Sequence, residues 1–273
     1  MLWIGLILAA SGGALVYFAG QAADRVLHMK VTETSQIGGL RSLVEQIRAD
    51  LGGGASEWRE LVEIKGSVGC DRPLVGELSG EPAVVVRGSV VREVEELRRE
   101  EDSEGRVTER WVSRNETVNS TKLEAPFWID DGSGRLDVRP SGATYTLQTV
   151  VDRFEPPAAV ERGSSIHLGR LEFAVGGFSR SHSLRVKGYR FREEILPVGA
   201  RVYALGEASD TSDGMALHKP GDSDKPFILS TKSEEELVAA GMSQAKWMKI
   251  GGLLALGLGI ALAIVGAVKM VAS

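Results

Sequence analysis

Few side chains in this sequence could do chemistry. Cys70 is the single cysteine, and the four histidines, His28, His167, His182 and His218, fall in separate segments. One thiol cannot close an internal disulfide, and four dispersed imidazoles do not supply the clustered Cys and His spacing of a structural zinc module. A thiolate nucleophile needs a basic partner beside it. Nothing local to Cys70 supplies one, so a small buried structural thiol is expected. Glu193 and Glu194 are adjacent carboxylates, but neighbours on a strand point to opposite faces and cannot converge on one substrate atom. Asp130, Asp131 and Asp137 could offer oxygens to calcium, yet the run from Pro126 to Val138 lacks the D-x-[DN]-x-[DN]-G order and the distal glutamate. Asp130-Asp131-Gly132-Ser133-Gly134 reads instead as a turn between two strands, with residues suited to positive backbone angles. There is no phosphate-cradling glycine loop, no G-x-S-x-G elbow and no H-E-x-x-H helix. No catalytic, cofactor-binding or metal-binding residue is assigned. An enzyme would need a site assembled by the fold from groups such as His167, His182, Asp130 and Glu194.

The elements that would position these residues are mostly strands. Leu61 to Val68 alternates, Ala83 to Val94 is rich in valine, and Pro226 to Thr231 has the look of a closing strand. Arg92 to Glu101 fits either a helical face or a strand; we read it as a strand that turns at Glu101 to Gly105 and returns through Val107, Glu109 and Trp111 as a long charged hairpin. Before the strands, Leu40, Leu43, Val44, Ile47 and Leu51 recur at helical spacing, and Gly52-Gly53-Gly54 ends that amphipathic helix as a flexible joint. After them, Ser233 followed by three glutamates opens another helix. The net charge of −5 and the absence of a clustered basic face argue against a nucleic-acid platform. The sequons at Asn115 and Asn119 are explained by chance.

The ends differ from the middle. Met1 to Ala23 and Ile250 to Val268 are uncharged apolar runs, each long enough to cross a ~30 Å hydrocarbon layer as a helix. The expected organisation is a transmembrane helix over 1–23, a juxtamembrane amphipathic helix and linker over 24–59, a β domain over 60–232, a juxtamembrane helix over 233–248 and a second transmembrane helix over 249–270. The β domain is expected to be antiparallel, an OB-like barrel or a pair of small barrels. Two spans put both termini on one side of the bilayer. Arg25, Lys30, Lys246 and Lys249 on the loop side, against Lys269 on the tail side, favour a cytoplasmic β domain. Small residues at Ala19, Ala22 and Ala23 could accept signal cleavage, but no basic residue precedes the first run. Gly5, Ala9 and Gly13, and Ala255, Gly259, Ala263 and Ala267, form smooth stripes that let two backbones approach, either the two spans of one chain or the spans of two copies.

The order of several short motifs resembles the GIDE-type family. They are Glu63 to Val68 with Gly66, then Pro73-Leu74 with Leu78-Ser79-Gly80, then Pro126-Phe127 before Asp130-Asp131-Gly132-Ser133-Gly134. Tyr189-Arg190-Phe191 with Glu194, Pro197, Gly199 and Gly206, and the Lys219-Pro220 and Pro226 to Ser230 segments, follow in order. Eukaryotic members are outer-membrane E3 ubiquitin ligases of mitochondria and chloroplasts, so the resemblance implies a membrane-flanked β domain and ubiquitin ligase activity. In those ligases a zinc-binding RING follows the second span. With one cysteine and a chain ending at Ser273, no ligase zinc ligand has a counterpart here, and a RING-less member of prokaryotic type is expected. The expectation is therefore a sensing or recognition domain at the bilayer, with a protein, peptide or lipid ligand and no cofactor. The alternative is a ligase component whose RING comes from another chain. The motif residues are read as structural.

Overall fold

The computed structural model describes residues 2–51, 57–101, 105–162, 165–168, 171–174, 183–211 and 214–271. His182, the three-glycine joint, Gly176-Gly177 and residues 102–104 of the hairpin tip lie outside the described residues. In chain order the elements are α1 (Leu2–Val31), α2 (Ile37–Asp50), β1 (Arg59–Gly69), β2 (Leu74–Val75), β3 (Pro82–Glu101), β4 (Val107–Glu124), β5 (Phe127–Asp130) and β6 (Arg135–Val138). There follow β7 (Thr144–Thr146), β8 (Gln148–Glu155), α3 (Pro157–Val160), β9 (Glu161–Arg162), β10 (Ser165–Leu168) and β11 (Leu171–Ala174). The last are β12 (Leu184–Pro197), β13 (Arg201–Thr211), β14 (Gly214–His218), β15 (Ile228–Ser230) and α4 (Glu234–Val271).

Period-two alternation in β1 turns Val62, Ile64 and Val68 to one side, where they meet Ile129, Leu136, Val138, Ala204 and Leu217 in a single apolar core. That core is the inside of a closed ring. The strands run β1-β5-β6-β14-β13 and return to β1 through antiparallel pairing from Arg59↔Ser209 to Ser67↔Arg201. Only the β6–β14 contact in the ring is parallel. Ile37 and Leu40 of α2 enter the same core and close one end of the barrel. The helix is fixed there by the turn the sequence had marked. Its first amide, Ile37 N–H, donates to Asp131 Oδ2 (2.8 Å), Gly38 N–H donates to Ser133 Oγ (2.9 Å), and Arg48 pairs with the buried carboxylate of Asp210 further along.

Two excursions from the barrel, between β1 and β5 and between β6 and β13, build a second sheet jointly. Its spine is β3 against β12, with β8 beyond β12 and with β2 and β4 beyond β3. β4 and β8 do not pair, so this sheet is an open half-barrel, and where an OB-like barrel or a pair of small barrels was expected the structure has one closed barrel and one half-barrel. The three-stranded sheet β9-β10-β11 covers it, and Ile166 joins Val90, Tyr189 and Phe191 in a separate core. The stretch that fitted either helix or strand is strand. β3 and β4 pair from Val85↔Glu124 out to Glu101↔Val107, whereas β12 follows β3 only as far as Leu184↔Glu96. Beyond that point the hairpin projects as a two-stranded ribbon dressed with exposed pairs such as Arg99–Glu109 (2.7 Å) and Arg110–Glu100 (3.5 Å).

At the other side of the barrel α1 and α4 pack antiparallel. Their contact is made of glycine backbone: a Cβ built on Gly5 would lie 2.4 Å from the amide nitrogen of Ala263, and one on Gly12 would lie 2.5 Å from that of Leu256. Gly259 meets Ala9 and Gly5 in the same way, and Gly252 meets Gly12 and Val16. The buried positions Gly5, Gly12, Ala19 and Val26 recur every seven residues, matched by Gly252, Gly259 and Gly266, the spacing of a left-handed helix pair. Gly13, which the stripe of small residues had put in the contact, lies beside it, with only a Leu256 methyl 3.9 Å away. Both helices are long and apolar enough to cross a membrane. Both also run on without a break: α4 is 38 residues, or about 57 Å, against roughly 30 Å of hydrocarbon. Met29 of α1 and Leu237 and Val238 of α4 then seat on the outer barrel wall at Tyr203 and Leu205.

Candidate functional site

The largest of the described cavities lies outside β5 and β6. Phe127 and Ile129 point into the core, so Trp128 must point out; on β6, Leu136 and Val138 point in and Asp137 out. Trp128 pairs with Asp137 across the hairpin and lies flat on Gly69 of β1, where a Cβ would sit 2.2 Å from the indole nitrogen. The Arg135 guanidinium stacks over the same ring, 5.1 Å from its centre. Asp71 and Arg72 from the loop after β1, and Arg139 after β6, complete a groove of about 830 Å³ with Pro126 at its edge. Two carboxylates face two guanidinium groups around an aromatic floor. That balance suits a peptide segment better than a polyanion. Cys70 is half-buried beneath this rim, its Sγ 3.3 Å from the Pro126 carbonyl oxygen, so the expected buried thiol is at the margin of the core rather than inside it.

A second polar cluster joins the barrel to its helical base. Glu63 is only 1% exposed; its Oε1 accepts the Thr34 hydroxyl (2.5 Å) and pairs with Lys65 Nζ (3.0 Å), which also holds Glu234 of α4 (2.8 Å). The Glu234 hydrogen bond, followed by that from Glu63, raises the Lys65 pKa against the opposing effect of burial. Burial and the neighbouring Glu63 charge push the Tyr203 phenol well above its ordinary value. The Tyr203 hydroxyl and Glu63 Oε2 are buried with no hydrogen-bond partner among the described residues.

The motif residues named from sequence fall at turns and close approaches. Asp131 accepts hydrogen bonds from the Ser133 amide and hydroxyl and the Gly134 amide as well as from Ile37. Burial raises its pKa, but these donors outweigh burial and hold the carboxyl below its usual range. Asp130 accepts from Gly132 N–H (2.9 Å) and pairs with Arg135 (3.3 Å), while Gly132 itself has φ +87°. Gly134 lets Ile37 approach, and Gly66 and Gly206 admit Asp130 and the Phe227 ring against their backbones. Gly80 and Gly199 have positive φ, and Gly199 N–H closes on Val68 O (2.8 Å) after the Pro197 turn. Phe127 is core and Pro126 lines the groove. Glu194 pairs with Arg192 (2.8 Å) and Arg87 (3.7 Å), whereas its neighbour Glu193 is buried on the opposite face, accepting from Leu78 N–H and from Ser79 N–H and hydroxyl.

Of the dispersed groups from which an active site would have to be built, Asp130 is in the barrel, Glu194 in the open sheet, and His167 on β10 beside Glu172 (3.6 Å). The fold does not bring these three together. Sequence reasoning missed one pair with nucleophile and base geometry: Ser209 Oγ lies 2.6 Å from His218 Nε2, whose Nδ1 faces the Lys219 carbonyl (2.9 Å). Ser209 is 8% exposed and held between Arg59 and Ala216 of the flanking strands, which shields the hydroxyl. No group of three or more His, Cys, Asp and Glu side chains placed to hold a metal occurs among the described residues.

These features define a class: a β domain, closed barrel plus open sheet, seated on two paired apolar helices and bearing an external groove. Residues 95–265 match the GIDE family, described as E3 ubiquitin ligase, and the chain belongs to that family. It is 28% identical over 251 residues to E3 ubiquitin-protein ligase SP1 of Arabidopsis thaliana, covering 91% of this chain and 64% of that protein. It is 25% identical over 233 residues to E3 ubiquitin-protein ligase SPL1 of the same plant, covering 84% and 60%. The chain thus spans less than two thirds of the length of either relative. No solved structure matches it.

Proposed function

We propose that this chain is a membrane-anchored recognition module that holds a protein segment in the Trp128 groove. The observation that carries the reading is the outward Trp128, braced by Gly69 and Arg135 and flanked by charges of both signs. Counted in chain order, the ring of barrel strands runs 1-2-3-5-4, the connectivity of an OB-like barrel, and the groove lies over strands two and three, a face such barrels use for ligands. The two apolar helices act as spans, with both termini on one side and the β domain on the cytoplasmic side, where Arg25, Lys30, Lys246 and Lys249 cluster. Anchoring raises the effective concentration of any membrane-borne partner. The test is quantitative capture of partners by the detergent-solubilised chain and by a Trp128→Ala, Arg72→Glu variant. A protein retained by the first and lost by the second supports the groove, and identical capture by both refutes it.

A second reading follows from the family description and the names of both relatives: the module is the recognition part of a ubiquitin ligase. Ubiquitin transfer assayed with the chain alone, and again with any RING-bearing protein that it captures, separates the two.

A further inference from the structure

We propose that the cleft between α1 and the loop joining β14 to β15 binds the headgroup of phosphatidylethanolamine, an inference that rests on the membrane-spanning reading above. Ala19 and Val26 are the buried positions of α1 at this level, and Val26 meets Gly241 of α4. At about 100° per residue, Tyr17, Gln21, Asp24 and His28 form a stripe on the opposite side of the helix. The loop comes down against that stripe. Pro220 and Pro226 are buried at its two ends, Asp224 N–H donates to Asp222 Oδ1 (3.0 Å), and Lys225 N–H to Asp222 O (3.2 Å), so Ser223 and Asp224 are presented by a closed turn. The space between loop and stripe is about 410 Å³.

Its depth matches a headgroup. Gly252 packs on the backbone of Val16, which puts Lys249 and Trp247 of α4 within about two turns of that level, abreast of Tyr17, Phe18 and Gln21. Aromatic and basic residues collected at one level mark the edge of a bilayer. Its chemistry selects among headgroups. Asp24, Arg25 and Asp224 line the cleft and make no ion pair with any described residue, so their charges are available to a ligand. One guanidinium suits a single phosphate; two carboxylates against it disfavour a headgroup with net negative charge. The same carboxylates, with the Gln21 and Ser223 oxygens, accept hydrogen bonds from a primary ammonium, which a quaternary choline cannot give. Tyr17 is the one Phe, Tyr or Trp among the lining residues, short of the aromatic cage that a choline would need.

The experiment reconstitutes the full chain into vesicles of equal parts phosphatidylethanolamine, phosphatidylcholine and phosphatidylglycerol, extracts it in mild detergent and measures the retained phospholipid by mass spectrometry. Phosphatidylethanolamine is expected to be enriched about fivefold over the other two. Asp24→Asn with Asp224→Asn brings the ratio back to that of the vesicle, Arg25→Gln lowers the total lipid retained, and Lys122→Gln, on β4, changes neither. All are exposed positions, and an unchanged circular dichroism spectrum verifies that the variants fold. Retained lipid in the bulk ratio, enrichment of phosphatidylglycerol, or enrichment that survives the double substitution overturns the site. A chain that stays in the membrane through carbonate washing yet shows no preference removes this inference alone; a chain released by carbonate removes the membrane reading and the site together.

Discussion

Asp131 shows how one side chain can matter at two places. It closes its own turn and also supplies the N-terminal cap of α2, a helix that begins 94 residues earlier. Replacing a capping carboxylate with alanine removes about 1 kcal/mol. Asp131→Ala is therefore expected to lower the denaturant midpoint at neutral pH. The folded pKa of Asp131 is depressed, so its contribution is full above the unfolded carboxyl pKa and is lost as pH falls through the folded one. Wild type and variant should thus converge in acid, and a constant difference down to about pH 2 would show that the charge is not what stabilises the helix. The turn was legible in Asp-Gly-Ser-Gly; its second task was not. Capping between segments far apart in sequence leaves no local spacing to read. The groove was half legible: the two strands around the turn were read from sequence, while the outward face of Trp128 and the approach of Gly69, Arg72 and Arg139 come only with the barrel's closure.

Among elements, the ribbon and the helix pair make opposite predictions. Past Leu97 and Trp111 the hairpin has no third strand, and its exposed ion pairs contribute about 0–1 kcal/mol each. Replacing residues 98–110 with Asn-Gly should close the Leu97↔Trp111 pair with a tight turn and leave the thermal midpoint of the domain within a few degrees. The helix seam is unforgiving. Gly12→Leu drives a side chain into the backbone of α4 and should lower the melting temperature in detergent and deprotect α1 amides in hydrogen exchange, while Gly13→Leu, whose nearest neighbour is a methyl group, should do neither. Equal effects from the two would return the contact to the four-residue stripe. Small residues were visible from sequence at both spacings, and physical reasoning separates them. A four-residue step advances about 40° around the helix and leaves the partner within a few turns, whereas a seven-residue step drifts only about 20°. The β-rich middle, its hairpins and the helix after Ser233 could be read from alternation and caps. The closure of β1 on β13 could not, because pairing between distant strands has no sequence period.

For the molecule as a whole, the two terminal helices are seated on the outer barrel wall. Met29, Tyr203, Leu205, Leu237 and Val238 pack together beside the Glu63–Lys65–Glu234 cluster. Protease added outside sealed vesicles in which the β domain faces outward is expected to cut the ribbon and spare both terminal helices; protection of the ribbon with loss of a terminus would reverse the topology. Flanking charge was all the sequence offered on this point, and a domain this long can override it. The ring also sets a schedule. β1 ends at Gly69, meets β5 along only its last three residues, and finds its long antiparallel partner β13 only when Arg201 to Ser209 has been made. At about 5–20 residues per second, the first strand emerges from the ribosome on the order of ten seconds before the strand that completes it. For that interval Val62, Ile64 and Val68 have no barrel to enter, and with α1 already made, the nascent polypeptide must be kept from aggregating by a chaperone or by the surface of the bilayer.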